Sequence, residues 1–228
     1  MNPASKHVDV VCRVTGPEIE RRMKEAREQG DSWNRPQDIL QVMIDQLPSD
    51  APAPLVTEAI ANNMMTLIFA SIHTTTMHSA LVLYALADYE EYVQELLDEQ
   101  VAVLAEEEAE EPGVEFGFSS NAVKKMVKLD SFLRESLMLD EELQGPDPEN
   151  FNPWRFVNKN KQATKVGVDF LRFGMGKHAC PGRFFAIQEI KTIVSIIMRK
   201  SRIVRPTPSA SRSIKEHPEG PLMFIKRE

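Results

Sequence analysis

Cysteine is almost absent: 228 residues hold two, Cys12 and Cys180, far apart and in unlike surroundings. A disulfide framework is therefore not indicated, and a reducing compartment is expected. Positive charge is also short, with 27 Lys and Arg against 34 Asp and Glu and a formal net charge of -7. Without a basic face there is nothing to hold a phosphate backbone, which argues against nucleic acid as a partner. The first residues lack the apolar core of a signal peptide or membrane anchor, so the chain as written reads as soluble and cytoplasmic. No internal repeat is evident. What the chain does have is a hydrophobic content of 42%, ample for a core.

Periodicity and breakers predict a mainly α fold. Residues 1–15 are expected to be an unstructured N-terminus, and the ordered elements are expected over 16–228; the length suffices for one large domain or two small ones. A first exposed helix over 16–29 opens at Pro17 and is stopped by Gly30; a second, over 36–47, carries Ile39, Leu40, Val42, Met43, Ile44 and Leu47 and ends before Pro48. After a proline-rich linker, residues 55–104 are helix-like apart from a polar break near Asp88 and Glu91. The part through Ala87 would run about 50 Å at the helical rise per residue. Being apolar nearly all round, it fits a core helix, while Glu58, Asn62, Asn63, His73 and His78 disfavour a membrane span. The acidic run 106–111 reads as solvated surface. Two short helices are expected over 119–139, the first capped by Ser120, then loop over 140–168, a buried helix over 183–199, and a terminal hairpin whose last strand is 222–225.

The chemistry is concentrated at Phe173-Gly174-Met175-Gly176-Lys177-His178-Ala179-Cys180-Pro181-Gly182. Gly174 and Gly176 let the backbone turn tightly against something flat, Gly182 leaves close approach unobstructed, and Pro181 suits a first helical position. Free amides and the positive end of the following helix favour thiolate over thiol at Cys180. A lone cysteine is usually a small buried hydrophobe; these neighbours set Cys180 apart. The spacing Phe-x-x-Gly-x-x-x-Cys-x-Gly resembles the haem-binding loop of the cytochrome P-450 family, with Phe173, Gly176, Cys180 and Gly182 at its fixed positions. The resemblance implies Cys180 as axial ligand of the iron of haem (iron protoporphyrin IX), Phe173 packed beside the sulfur and His178 facing a haem propionate.

A second constellation lies inside the long helical stretch. Thr74, Thr75 and Thr76 are consecutive β-branched hydroxyl residues, poor helix formers whose presence asks for a reason. The run is similar to the family's oxygen-activating helix: Ala70, Thr74 and Thr75 match its pattern, while Ser71 replaces a glycine and His73 an acid. Thr74 would deliver protons, with His73 in the relay place. A zinc reading of His73, His78, His178 and Cys180 fails on geometry, since helical positions five apart do not share a face.

The family pattern also breaks. Its Glu-x-x-Arg supplies Glu135, but the arginine has become Met138; Arg155 in Phe151-Asn152-Pro153-Trp154-Arg155-Phe156 is the expected later partner. Family members carry a longer stretch between Glu135 and the cysteine, and the resemblance maps to the C-terminal half with an internal deletion. It implies a truncated P-450 fold with a long central helix, cysteine loop and small β tail. The implied activity is haem-dependent monooxygenation of a small hydrophobic organic, secondary-metabolite substrate, in a fungal-type enzyme fed by a reductase. Full-length relatives are anchored to the endoplasmic reticulum. The alternative is a truncated, inactive remnant that binds haem weakly or not at all.

Overall fold

The computed structural model describes residues 3–110, 118–138, 150–206 and 220–227. Its helices are α1 (Pro3–Gln29), α2 (Ile39–Asp45), α3 (Ala53–Asp88), α4 (Val93–Glu110), α5 (Ser120–Lys125), α6 (Val127–Ser136) and α7 (Arg183–Lys200), followed by strands β1 (Ser201–Val204) and β2 (Met223–Lys226). The chain is thus mainly helical with one small sheet. It forms two compact units, Met1–His73 and Thr74–Glu228, whose boundary falls inside α3. The buried apolar side chains form two separate clusters, one in each unit. Glu111, Leu139 and the expected loop over 140–149 lie outside the described residues.

In the first unit, α1 starts at Pro3, so most of the stretch expected to be irregular is helical and Pro17 lies inside the helix. A helix of this composition is held on its exposed side by pairs one turn apart, Arg21 with Glu18 and Glu25, and Arg22 with Glu18. Its other side buries Ile19 and Met23 against Met43 of α2 and Val56 and Ile60 of α3. Arg22 joins the two ends of this turn: its guanidinium donates to both Asp38 oxygens at 2.7 and 2.8 Å. Asp38 also caps α2, accepting from the Gln41 amide at 2.9 Å, which is why the helix begins at Ile39 and not at Pro36. The Arg22 guanidinium and that amide together hold the Asp38 carboxyl at about 2.

In the second unit, α6 supplies Leu129, Phe132 and Leu133 and α7 supplies Ile187, Ile190, Val194 and Met198 to one core, joined by Val82 and Leu86 of α3 and Leu96 of α4. Each such side chain taken fully out of water contributes roughly 1.5–3 kcal/mol. Ser119, one residue earlier than expected, caps α5 by accepting from the Ala122 amide at 3.0 Å. The residue before α6, Met126, cannot cap. Glu99 reaches across from α4 instead and accepts from the Lys128 and Leu129 amides at 2.6 and 2.9 Å. The chain leaves α7 directly into β1, which pairs antiparallel with β2 from Ser201 opposite Lys226 to Val204 opposite Met223.

The middle of α3 departs from the expected core helix. Its ends are covered within each unit, but Phe69 is 75% and Ile72 59% exposed, and only 22% of its most apolar 18-residue window is buried. By length and composition alone, this helix could also cross a membrane. Apolar content records what a surface calls for; the described residues around 66–74 do not provide the cover.

Candidate functional site

The ten residues from Phe173 to Gly182 form a tight loop between the core and α7. Gly174 and Gly176 take φ of 70° and 60°, the left-handed region where a side chain is strained. A Cβ on Gly174 would also lie 3.1 Å from the His178 carbonyl oxygen, so glycine is demanded twice; at Gly176 that direction is open. The loop closes through a single 3-10 turn, Gly176–His178. Within it the Cys180 amide donates to the Phe173 carbonyl at 2.7 Å. Arg183 donates to the Cys180 carbonyl at 2.8 Å and to the Thr164 carbonyl at 3.2 Å. Both backbone groups of Cys180 are thereby fixed, while its thiol is free and half-buried.

One expectation about this loop changes. Pro181 is not the first helical residue: Gly182 is the N-cap and α7 starts at Arg183. A Cβ on Gly182 would stand 3.9 Å from the Cys180 sulfur, an ordinary contact. Phe173 is half-buried beside Phe170, ring centroids 6.4 Å apart and edge to face, and His178 is exposed on the turn. Leu171, Met175, Phe184 and Phe185, near Cys180 in the sequence, are all at least half exposed.

On α3, Ala70 and Thr74 stand one turn apart and both are exposed, as is His73, whose ring meets Phe69 edge-on at 6.0 Å. His73 closes the first unit and Thr74 opens the second. His78, which the sequence raised only as a zinc candidate and against a membrane span, has a different place here. It is buried, its Nδ1 donates to the Thr74 carbonyl at 2.5 Å, and its Nε2 has no partner among the described residues. Burial pushes its pKa down, and the charge of Arg172 adds to the fall. Arg172 sits just before Phe173 and donates to the Leu137 carbonyl at 2.9 Å. Arg172 thereby ties the start of the loop to the end of α6.

Glu135 and Arg155 form a buried pair, with Nε 3.1 and 3.0 Å from the two carboxylate oxygens. The Asn152 amide also donates to Glu135, at 3.0 Å, so one glutamate fixes the chain before and at Arg155. Met138 has joined the apolar core, 8% exposed. No set of three His, Cys, Asp or Glu side chains gathers among the described residues to hold a metal ion. A cation on Cys180 would draw its remaining ligands from outside the described side chains. A flat, largely apolar macrocycle carrying its own equatorial donors fits this arrangement: one free thiol, a glycine-bent backbone with nothing over Gly176, and exposed Leu171, Met175, Phe184 and Phe185.

The family model described as cytochrome P-450 matches residues 1–141 and 136–225. Cytochrome P-450 monooxygenase AN1598 of Emericella nidulans is 28% identical over 82% of this chain and 41% of its own length. Cytochrome P-450 monooxygenase 103 of Postia placenta is 30% identical over 78% of this chain and 43% of its own, and cytochrome P-450 monooxygenase olcJ of Penicillium canescens is 29% identical over 82% and 41%. The chain therefore spans about two fifths of the length of these curated relatives. The first of these alignments runs over 232 residues, more than the whole chain, yet takes in 82% of it, so that relative has residues with no counterpart here. The two family-model matches meet at 136–141, where the sequence pattern breaks.

Proposed function

We propose, for a chain that belongs to the cytochrome P-450 family, that the Cys180 sulfur is the proximal ligand of a haem iron and that the activity is haem-dependent monooxygenation of a small hydrophobic organic compound. Electrons come from a reductase. The observation that carries this reading is the loop: a free thiol whose backbone N–H and C=O are both tied down, next to a glycine backbone open to a flat ligand. When bound, haem supplies the activation of dioxygen, which a thiolate donor favours.

The chain's own residues have separable tasks. Phe173 packs beside the sulfur and accepts the Cys180 N–H bond, which fixes the direction of the Cα–Cβ vector. Gly176 and Gly182 leave the approach to the loop unobstructed. His178, exposed on its 3-10 turn, donates to a propionate. On α3, Ala70 is small enough to leave room, Thr74 moves a proton from its hydroxyl, and His73 relays protons from solvent. Glu135 and Arg155 keep the segment leading to the loop in place.

A second reading, a chain of the same lineage that binds haem weakly or not at all and does not turn over, is favoured by the exposure of Phe69, Ile72 and Met77 on α3 at 75%, 59% and 46%. The two separate in one experiment. Purified protein is loaded with haemin, reduced under carbon monoxide, and then supplied with a reductase and a hydrophobic test substrate. A thiolate-shifted Soret band with oxygenated product supports monooxygenation, and the band without product supports the second reading. No thiolate-shifted band in wild type or Cys180→Ala contradicts monooxygenation and supports the second reading.

A further inference from the structure

Arg134 is among the most completely buried charged side chains in the fold, 1% exposed, and nothing in the family pattern singled it out. Its guanidinium lies between two rings, 4.9 Å from the centroid of Phe156 and 4.2 Å from that of Phe170. One terminal nitrogen donates to the carbonyls of Gln162 and Lys165 at 3.0 and 2.9 Å, and the other to Asp169 at 3.2 Å. Every one of these partners belongs to the segment that runs into the cysteine loop. Its neighbour Glu135 holds the preceding segment through Asn152 and Arg155. Two adjacent residues of α6 therefore pin two successive stretches of chain, and Arg134 holds the one nearer the thiol.

The connection to Cys180 is contiguous. Arg134 stacks on Phe170, Phe170 meets Phe173 edge-on with centroids 6.4 Å apart, and the Phe173 carbonyl accepts the Cys180 N–H at 2.7 Å. Resting on the reading of Cys180 as a haem ligand, we infer that Arg134 is the positioning residue of the cysteine loop, setting where the thiol points through Phe170 and Phe173. Met138, where the family has its arginine, makes no polar link to this segment, being packed in the apolar core. Arg134 takes over the anchoring of the loop from the opposite direction along α6. The work depends on a planar fork that donates to two carbonyls and a carboxylate while stacking on rings, which a lysine cannot reproduce.

The test uses the whole chain in a Cys12→Ser background, so that thiol chemistry reports Cys180 alone. Arg134→Lys and Asp169→Asn are compared with the parent by far-ultraviolet circular dichroism, by the rate of iodoacetamide alkylation without haemin, and by the reduced, carbon-monoxide-bound spectrum with haemin. Arg134→Lys keeps the helical signal, is alkylated roughly tenfold faster as the loop opens more often, and loses most of the thiolate-shifted band. Asp169→Asn, which keeps the guanidinium but removes its ion pair, shifts both readouts the same way by less. Parent-like alkylation and spectra in both variants overturn the proposal. If Arg134→Lys does not fold, Asp169→Asn decides on the same two readouts. A parent without a thiolate-shifted band sinks the haem reading instead, while alkylation of the haem-free protein still tests Arg134.

Discussion

His78 is held neutral in the fold by burial, with Arg172 opposing its protonation from the loop side. Its folded pKa lies below the ordinary 6.5, so in the window between the two values the unfolded chain binds a proton that the fold does not. Stability supported by neutral His78 is present above that ordinary value and is lost as pH falls below it. Glu99 has its pKa raised by burial and gives the opposite slope, so the variant and not the total pH profile isolates His78. In urea titrations at about pH 8 and about pH 5, His78→Phe should show a smaller loss of stability on acidification than wild type; equal losses contradict the assignment. The Glu135–Arg155 pair has a different weight. Arg155→Met leaves a 1% exposed carboxylate without its cation, and breaking such a pair costs about 3–5 kcal/mol, read as a fall in the urea midpoint at constant slope. Sequence wording exposed this pair, because fixed spacings name single residues. It gave no role to Arg134 or Arg172 and raised His78 only as a zinc candidate and against a membrane span, since their surroundings arise from tertiary packing.

Among the elements, α6 depends on a cap that its own sequence does not contain. Glu99→Ala removes the acceptor for the Lys128 and Leu129 amides and should lower stability by about 1–2 kcal/mol, the range for losing a helix cap; a change within error would show that water serves as well. In the cysteine loop, Gly174→Ala meets both a left-handed φ of 70° and a carbonyl oxygen at 3.1 Å. It should cost about 1–3 kcal/mol by thermal melting and weaken haemin binding, whereas Gly176→Ala carries the strain without the clash. Helices α6 and α7 were legible because their apolar residues recur at the helical period. Element ends were less so: α2 starts where Asp38 caps it, and α5 where Ser119 does. For α3 the length was legible and the burial was not, since an all-round apolar pattern states a preference for cover without naming what supplies it.

The whole chain carries two apolar cores and an exposed stretch of α3. It spans 41% of the length of the first relative compared. A ligand that binds the fold and not the unfolded chain stabilises it by about 2.7 kcal/mol at a hundredfold excess over its dissociation constant. Haemin should therefore raise the melting temperature of wild type and have less effect on Cys180→Ala. The most direct measurement is iron K-edge X-ray absorption on the haemin complex. With Cys180 as ligand, wild type shows one sulfur in the first shell of the iron, and Cys180→Ala shows none. A first shell of nitrogen and oxygen alone in wild type would contradict the assignment.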